Sequence, residues 1–245
     1  YGMAVVTAVV AQNTQAVRVV SPLAPELVQA QLEAVFEDVA VAAVKIGMVA
    51  NAGIAEAIAE VLARHRPPFV VFDPVMAAST HKRLMNESDL ERIRTVLLPQ
   101  VSLLTPNLKE AARLLGIAQP VDEAGMHACL PALQALGVPN VLLKGGHLAE
   151  DTPDAPESTD LLATPEGVIR LSAPRIATRH GHGTGCTLSS AIAALWPQHG
   201  LEKATRMAKD YVHGALLHAD ALQVGHGRGP LHHFWQAVHL PGQLA

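Results

Sequence analysis

Three consecutive runs decide the fold: Val44-Lys45-Ile46-Gly47-Met48-Val49, then NAGIAEAIAEVLARH at 51–65, then Phe69-Val70-Val71-Phe72-Asp73-Pro74-Val75. The outer two are apolar for several residues without polar alternation, as strands covered on both faces are. Between them Ile54, Ile58, Val61 and Leu62 recur at i, i+4, i+7 and i+8. That spacing is one face of a helix, and Asn51 stands where an N-cap belongs. Strand, helix, strand predicts a βα unit feeding a parallel sheet.

Working outward, the same grammar repeats. Buried strands are expected at 101–105 and 141–144, and helices at 25–39, 88–98, 108–115, 123–136, 184–196 and 201–222. The class is α/β, with a central, mostly parallel sheet flanked by helices on both faces. Residues 161–164 and 168–171, around Pro165-Glu166-Gly167, read as a hairpin. With the Asp/Pro/Glu-rich surface loop at 150–158 before it, the hairpin reads as an insertion. No repeat, low-complexity tract or shift in composition marks a second domain, so 1–245 is expected to be one.

The 245 residues are 49% hydrophobic and 16% charged, enough to bury one large core and too apolar for a disordered chain. Eighteen Lys and Arg against 22 Asp and Glu leave a net charge of −4, so no basic field recommends a nucleic acid or an anionic membrane. The longest apolar run, 3–11, is interrupted by Thr7 and falls short of the ~20 residues of a membrane span. The expected partner is a small molecule. Cys129 and Cys186 lie far apart in a chain without a signal-peptide pattern, which suits the reducing cytoplasm. His180, His182, His226, His232 and His233 cluster in glycine-rich segments, in no zinc-binding spacing.

The strongest chemical signal is His182-Gly183-Thr184-Gly185-Cys186-Thr187, which ends a loop and opens a helix. Backbone N–H groups at such a junction lack intrahelical partners and the helix dipole is positive there, so an anion fits. Gly183 and Gly185 let the backbone approach it closely. A thiol in that first turn is expected to fall below the ~8.5 of a free cysteine and to serve as a base. Cys129 sits inside an amphipathic helix and is assigned to the core. In Thr105-Pro106-Asn107-Leu108-Lys109-Glu110, Asn107 and Glu110 share one helix face; they form a capping box, a ligand-facing pair, or both. Asp73-Pro74-Val75-Met76 and Lys144-Gly145-Gly146-His147 each close a strand, at the carboxyl edge where open α/β sheets place ligands. Asp73 and Glu110 suit a Mg²⁺ that keeps several waters, and Lys144 suits phosphate charge. An acid, a lysine and an anion hole together read as phosphoryl-transfer equipment.

Six ordered motifs carry a resemblance that runs nearly end to end: TAVVAQNT (7–14), KIGM (45–48), DPVM (73–76), TPN (105–107) with Glu110, LKGGH (143–147) and HGTGCT (182–187). The chain resembles the hydroxymethylpyrimidine and phosphomethylpyrimidine kinases of thiamine biosynthesis, within the ribokinase-like superfamily. The resemblance implies transfer of the ATP γ-phosphate to the hydroxymethyl group of 4-amino-5-hydroxymethyl-2-methylpyrimidine, and then to the monophosphate. It implies Cys186 as the base and Gly183, Thr184 and Gly185 as the anion hole. It places Gln12, Met48 and Val75 on the pyrimidine, and Asp73, Asn107, Glu110 and Lys144 at Mg²⁺ and the nucleotide phosphates. It further implies a homodimer.

Two departures stand out. The family opens with a strand, a turn and a helix of about 30 residues that this chain, starting at Tyr1, is expected to lack. His180-Gly181 also replaces the family's usual Asn-Thr. Two alternatives stay open on the sequence: a pyridoxal or pyridoxine kinase, and a non-catalytic module that holds the pyrimidine. A flap over 77–84 is expected to order on nucleotide binding.

Overall fold

Alternation along the inner strands builds two cores from one sheet. In the computed structural model, which describes residues 1–76, 87–146, 148 and 157–237, Val71, Leu103, Leu142 and Leu162 face one side. There they cluster with Leu188, Ile192, Trp196 and Val212. Val70, Phe72, Leu104, Val141 and Leu143 face the other side, with Ile54, Ile58, Leu62, Leu114 and Leu130. Side chains of period two thus bury both faces, and helices cover each. The flap at 77–84, His147 and most of the 150–158 loop lie outside the described residues.

An antiparallel ribbon, β1 (Ala8–Gln12) and β2 (Val17–Pro22), leads into α1 (Pro25–Phe36). Four strands then run parallel and side by side: β3 (Val44–Ile46), β4 (Val70–Phe72), β5 (Leu103–Leu104) and β6 (Asn140–Lys144). β7 (Glu157–Thr164) and β8 (Gly167–Pro174) extend the same sheet antiparallel. The connecting helices are α2 (Ala52–His65), α3 (Glu87–Arg92), α4 (Leu108–Leu115) and α5 (Glu123–Gln134), and α6 (Thr184–His199) and α7 (Leu201–Leu217) close the chain order. Among the described residues no helix is long and apolar enough to cross a membrane.

Local chemistry explains the boundaries. Asn51 caps α2 as expected, its Oδ1 accepting from the Ile54 N–H at 2.9 Å. The helix expected at 88–98 is α3 followed by a π turn (Ile93–Leu97) and a 3₁₀ turn (Leu98–Gln100), where Pro99 cannot continue the α ladder. The hairpin read as an insertion is instead integral to the sheet. β7 pairs with β6 from Val141 to Lys144, and Leu161, Leu162 and Ala163 are fully buried. Its unbroken Leu-Leu-Ala run is the mark of a strand covered on both faces, which the loop-like composition before it obscured. The β1–β2 ribbon is a second element beyond the expectations. Asn13 Oδ1 closes its turn by accepting from the N–H groups of Gln15 and Ala16.

Candidate active site

Parallel strands end at a common edge, and each central strand delivers chemistry to it. Asp73 follows β4, buried to 2%, with its N–H bonded to the Ile46 carbonyl at 2.9 Å. Lys144 ends β6 and places Nζ 2.6 Å from Asp73 Oδ1, and the Thr105 hydroxyl donates to the same oxygen at 3.3 Å. Burial pulls the Lys144 ammonium down, but Asp73 and Glu110 overcome it and hold its pKa above the ordinary value.

Asn107 and Glu110 do form the capping box: Glu110 Oε2 accepts from the Asn107 N–H at 2.7 Å, and Asn107 Oδ1 from the Glu110 N–H at 2.9 Å. The same carboxylate lies within electrostatic reach of Lys144 and Asp73. Burial, the largest cause, lifts Glu110 from 4.5 to about 7; Lys144 opposes it, Asp73 reinforces it and the Asn107 hydrogen bonds oppose it.

Above this pair sits the start of α6. Gly183 caps it in the left-handed region, φ 86°, where glycine is favoured. The Thr184 hydroxyl closes the turn on the Gly181 carbonyl at 2.8 Å. Thr187 is the first residue to bond back into the helix, to Gly183 at 2.8 Å, so the N–H groups of Thr184, Gly185 and Cys186 project from the helix end. A Cβ at Gly185 would stand 3.0 Å from Lys144 Nζ and 3.6 Å from Asp73 Oδ2. A side chain there would press on the lysine ammonium, so glycine lets the helix end settle closely on the pair.

Cys186 is exposed at the mouth of this arrangement, with its thiol in hydrogen-bonding reach of the Asp73 carboxylate. The expected depression of its pKa is reversed. Protein atoms crowding the sulfur on its inner side push the thiol up, and Asp73 adds to this, against Lys45 and Lys144. A helix terminus contributes only about 0.3–1 kcal/mol, under one pH unit, and loses to those terms. Cys129 is buried within α5, as assigned.

Cys186, Asp73, Lys144 and Glu110 therefore share one cluster. Met48 and Val75 follow β3 and β4 at the same sheet edge: Met48 O accepts from the Thr7 hydroxyl at 2.8 Å, and the Val75 N–H bonds Asp73 O at 2.8 Å. Gln12 is not brought in by any described contact; it is exposed on the ribbon, whose tip docks elsewhere. The Thr14 carbonyl accepts from Arg228 N–H at 2.9 Å, and a Cβ on Gly227 would meet that carbonyl at 2.1 Å. The glycines of 225–229 thus make room for the ribbon and for His180, whose Nδ1 a Cβ on Gly229 would meet at 2.0 Å.

Two residues escaped the sequence reading. Lys45 sits half-buried on β3, its Nζ only 2.8 Å from where a Gly47 Cβ would be. Asp160 on β7 accepts from the Gly145 N–H at 3.0 Å and from Lys209 Nζ at 2.6 Å. Each is a charge inside an apolar strand, which is the signal that could have found it. An open cleft of about 800 Å³ lies just before the Gly183 turn, lined by Thr178, Arg179, His180, Asp220, Gln223 and His226. His180 is buried, with Nε2 3.6 Å from Asp220 Oδ1.

The fold is that of the ribokinase-like small-molecule kinases. The structure is similar to that of an ADP complex of Bacillus subtilis pyridoxal kinase, with a TM-score of 0.85 and 27% identity, covering 98% of this chain and 88% of that one. It is also similar to phosphomethylpyrimidine kinase from Clostridium difficile, with a TM-score of 0.74 and 35% identity, covering 88% and 86%. In sequence it is 50% identical over 235 residues to the hydroxymethylpyrimidine/phosphomethylpyrimidine kinase of Salmonella typhimurium, 96% of this chain and 86% of that protein. Residues 1–232 match the family described as phosphomethylpyrimidine kinase, and the chain belongs to that family.

Proposed function

We propose that residues 1–245 form one kinase domain that phosphorylates 4-amino-5-hydroxymethyl-2-methylpyrimidine and then its monophosphate at the expense of ATP, in thiamine biosynthesis. One observation carries the reading: Cys186, Asp73, Lys144 and Glu110 converge beneath the first turn of α6. Phosphoryl transfer asks the protein for alignment and charge neutralisation rather than covalent work. The N–H groups of Thr184, Gly185 and Cys186 receive the migrating phosphoryl group, with Gly183 setting the turn and Lys144 its nearby cation. The nucleotide lies along the cleft by Thr178 and His180, its phosphates toward Gly183, and Asn107 borders them.

Sulfur handles the proton. With the Asp73 carboxylate beside the thiol, the sulfur takes the proton of the attacking hydroxyl while its own passes to that carboxylate. Met48 and Val75 border the pyrimidine. The donor set fits Mg²⁺: two carboxylates, Asp73 and Glu110, of which Glu110 is short of positive charge. A Mg²⁺ held there through water would neutralise phosphate charge. We place the protein in the cytoplasm, where its two free cysteines stay reduced. We assemble it as a homodimer, supported by the ribbon's uncovered face, on which Val9 and Val19 are 60% and 57% exposed.

The test is ADP release by the full chain with hydroxymethylpyrimidine, its monophosphate and pyridoxine supplied separately. Turnover of the first two is expected. Binding of both without turnover would leave a pyrimidine-holding module, and turnover of pyridoxine alone a pyridoxal-type kinase.

A further inference from the structure

The two acceptors of the proposed reaction differ by a phosphate that carries about −1.5 to −2 charge near pH 7. A single cleft serving both needs an anion site on the acceptor side that the first substrate leaves unused. Lys144 does not supply it, because its ammonium, paired with Asp73 at 2.6 Å, is already assigned to the migrating phosphoryl group. We infer that the ammonium of Lys45 is this site, binding the phosphate of the monophosphate acceptor and so setting the enzyme's preference between its two substrates. The inference rests on the kinase reading above.

Three observations carry it. Lys45 folds back over Gly47, with Nζ 2.8 Å from the place of a Gly47 Cβ, so its charge stands at the β3 end beside Met48. It makes no ion pair with a carboxylate of the described residues, unlike the buried lysines Lys144 and Lys209. Of the charges around Cys186 it acts the most strongly. The ammonium therefore stands at the carboxyl end of β3, within electrostatic reach of the sulfur that faces the attacking atom. A compact, hydrated ammonium on a flexible stem suits a phosphate that is present in only one of two substrates.

The chemistry of the second step agrees with this placement. An oxygen of the monophosphate attacks the γ-phosphorus, the bond to the bridging β–γ oxygen breaks, and ADP leaves with that electron pair. The attacking oxygen is already anionic, so no proton need pass to Cys186. The first step depends on sulfur, the second on a cation that holds a dianion in line.

The experiment measures kcat/KM of the full chain for the alcohol and for the monophosphate at saturating Mg-ATP, in the parent, Lys45→Met and Gly47→Ala. Glycine-to-alanine keeps the lysine but displaces its ammonium. Both changes are expected to raise the ratio of alcohol to monophosphate efficiency roughly 10- to 100-fold, the range of one charge-assisted hydrogen bond, mainly through KM for the monophosphate. Lys45→Arg should recover part of the ratio, and Cys186→Ala should move it the opposite way. An unchanged ratio in both variants, or equal losses on both acceptors, overturns the inference while the kinase reading stands. No turnover of either acceptor by the parent overturns the kinase reading itself. If Lys45→Met does not fold, Gly47→Ala alone decides.

Discussion

Replacing Glu110 by glutamine separates the two duties of that side chain. Its carboxyl sits at about 7 against an ordinary 4.5. Between those values the native chain holds a proton that the unfolded chain has released, so stability falls as pH rises through the window. Above pH 7 the full penalty is present, about 3 kcal/mol for a gap of about 2.5 at 1.36 kcal/mol per unit. Glutamine keeps the oxygen that accepts from the Asn107 N–H at 2.7 Å, and its cost does not vary with pH. Without nucleotide or Mg²⁺, Glu110→Gln is expected to melt about 4–10 °C above the parent at pH 8.5, from ~2–4 °C per kcal/mol in a chain of this size with some relief by relaxation. At pH 5, where less than about 1 kcal/mol of the penalty is present, the difference should shrink to about 1–3 °C. Mg-ATP should stabilise the parent more at pH 8.5 than at pH 6, and the variant should lose that dependence along with activity. A melting difference that is the same at pH 5 and pH 8.5 would refute the argument that the buried charge is what costs stability.

The remaining expectations concern the same cluster. Cys186→Ala should lower kcat for the alcohol by ~10²- to 10⁴-fold with an unchanged circular dichroism spectrum. Because the thiol is raised, alkylation of the parent by iodoacetamide should be slow at pH 7 and accelerate only in the alkaline range; rapid labelling at pH 7 would contradict the assigned direction. Lys144→Met strands the Asp73 carboxylate, 2% exposed, and should cost about 3–5 kcal/mol in urea titrations, most of it recovered when Asp73→Asn is added. Failure of that second change to rescue would place the cost in packing instead. Gly145→Ala drives a Cβ to 2.3 Å from the Thr159 carbonyl and should destabilise severely, whereas Gly183→Ala meets no atom within 4 Å and pays only for φ 86°. The latter cost is about 1–2 kcal/mol. Equal losses of melting temperature would undo the distinction.

What was legible in the sequence follows the range of the forces involved. Helix α2 was plain because its apolar stripe and Asn51 cap are local, and the Gly183–Gly185 spacing was plain because an anion hole made of backbone needs glycines at fixed offsets. The parallel core strands were found but read too long: the apolar run at 101–105 pairs only over Leu103–Leu104. The hairpin is legible where it lies, but its place in the sheet is not, because the two-sided burial of Leu161 and Leu162 depends on β6, fifteen to twenty residues earlier, and not on its own turn. The ribbon at 8–22 was missed because its strands are half-exposed and its tip is held by a loop more than two hundred residues away, through Thr14 and Gly227.

The protonation state of Cys186 was the least legible feature, and the reason is instructive. One helix end is visible in HGTGCT and argues for a thiolate. Burial of the sulfur outweighs it, helped by Asp73 at the end of β4, while Lys45 on β3 and Lys144 on β6 act on the side of the helix end. A residue's chemical type and backbone position are properties of a few neighbours in the chain, whereas its proton affinity is a sum over everything the sheet gathers at one edge. A thiol held above its ordinary value is also the consistent choice for this site. A permanent thiolate beside Asp73 would repel the phosphate that arrives with the second acceptor, whereas a neutral sulfur that hands its proton to Asp73 only as the alcohol loses its own lets both acceptors share one cleft.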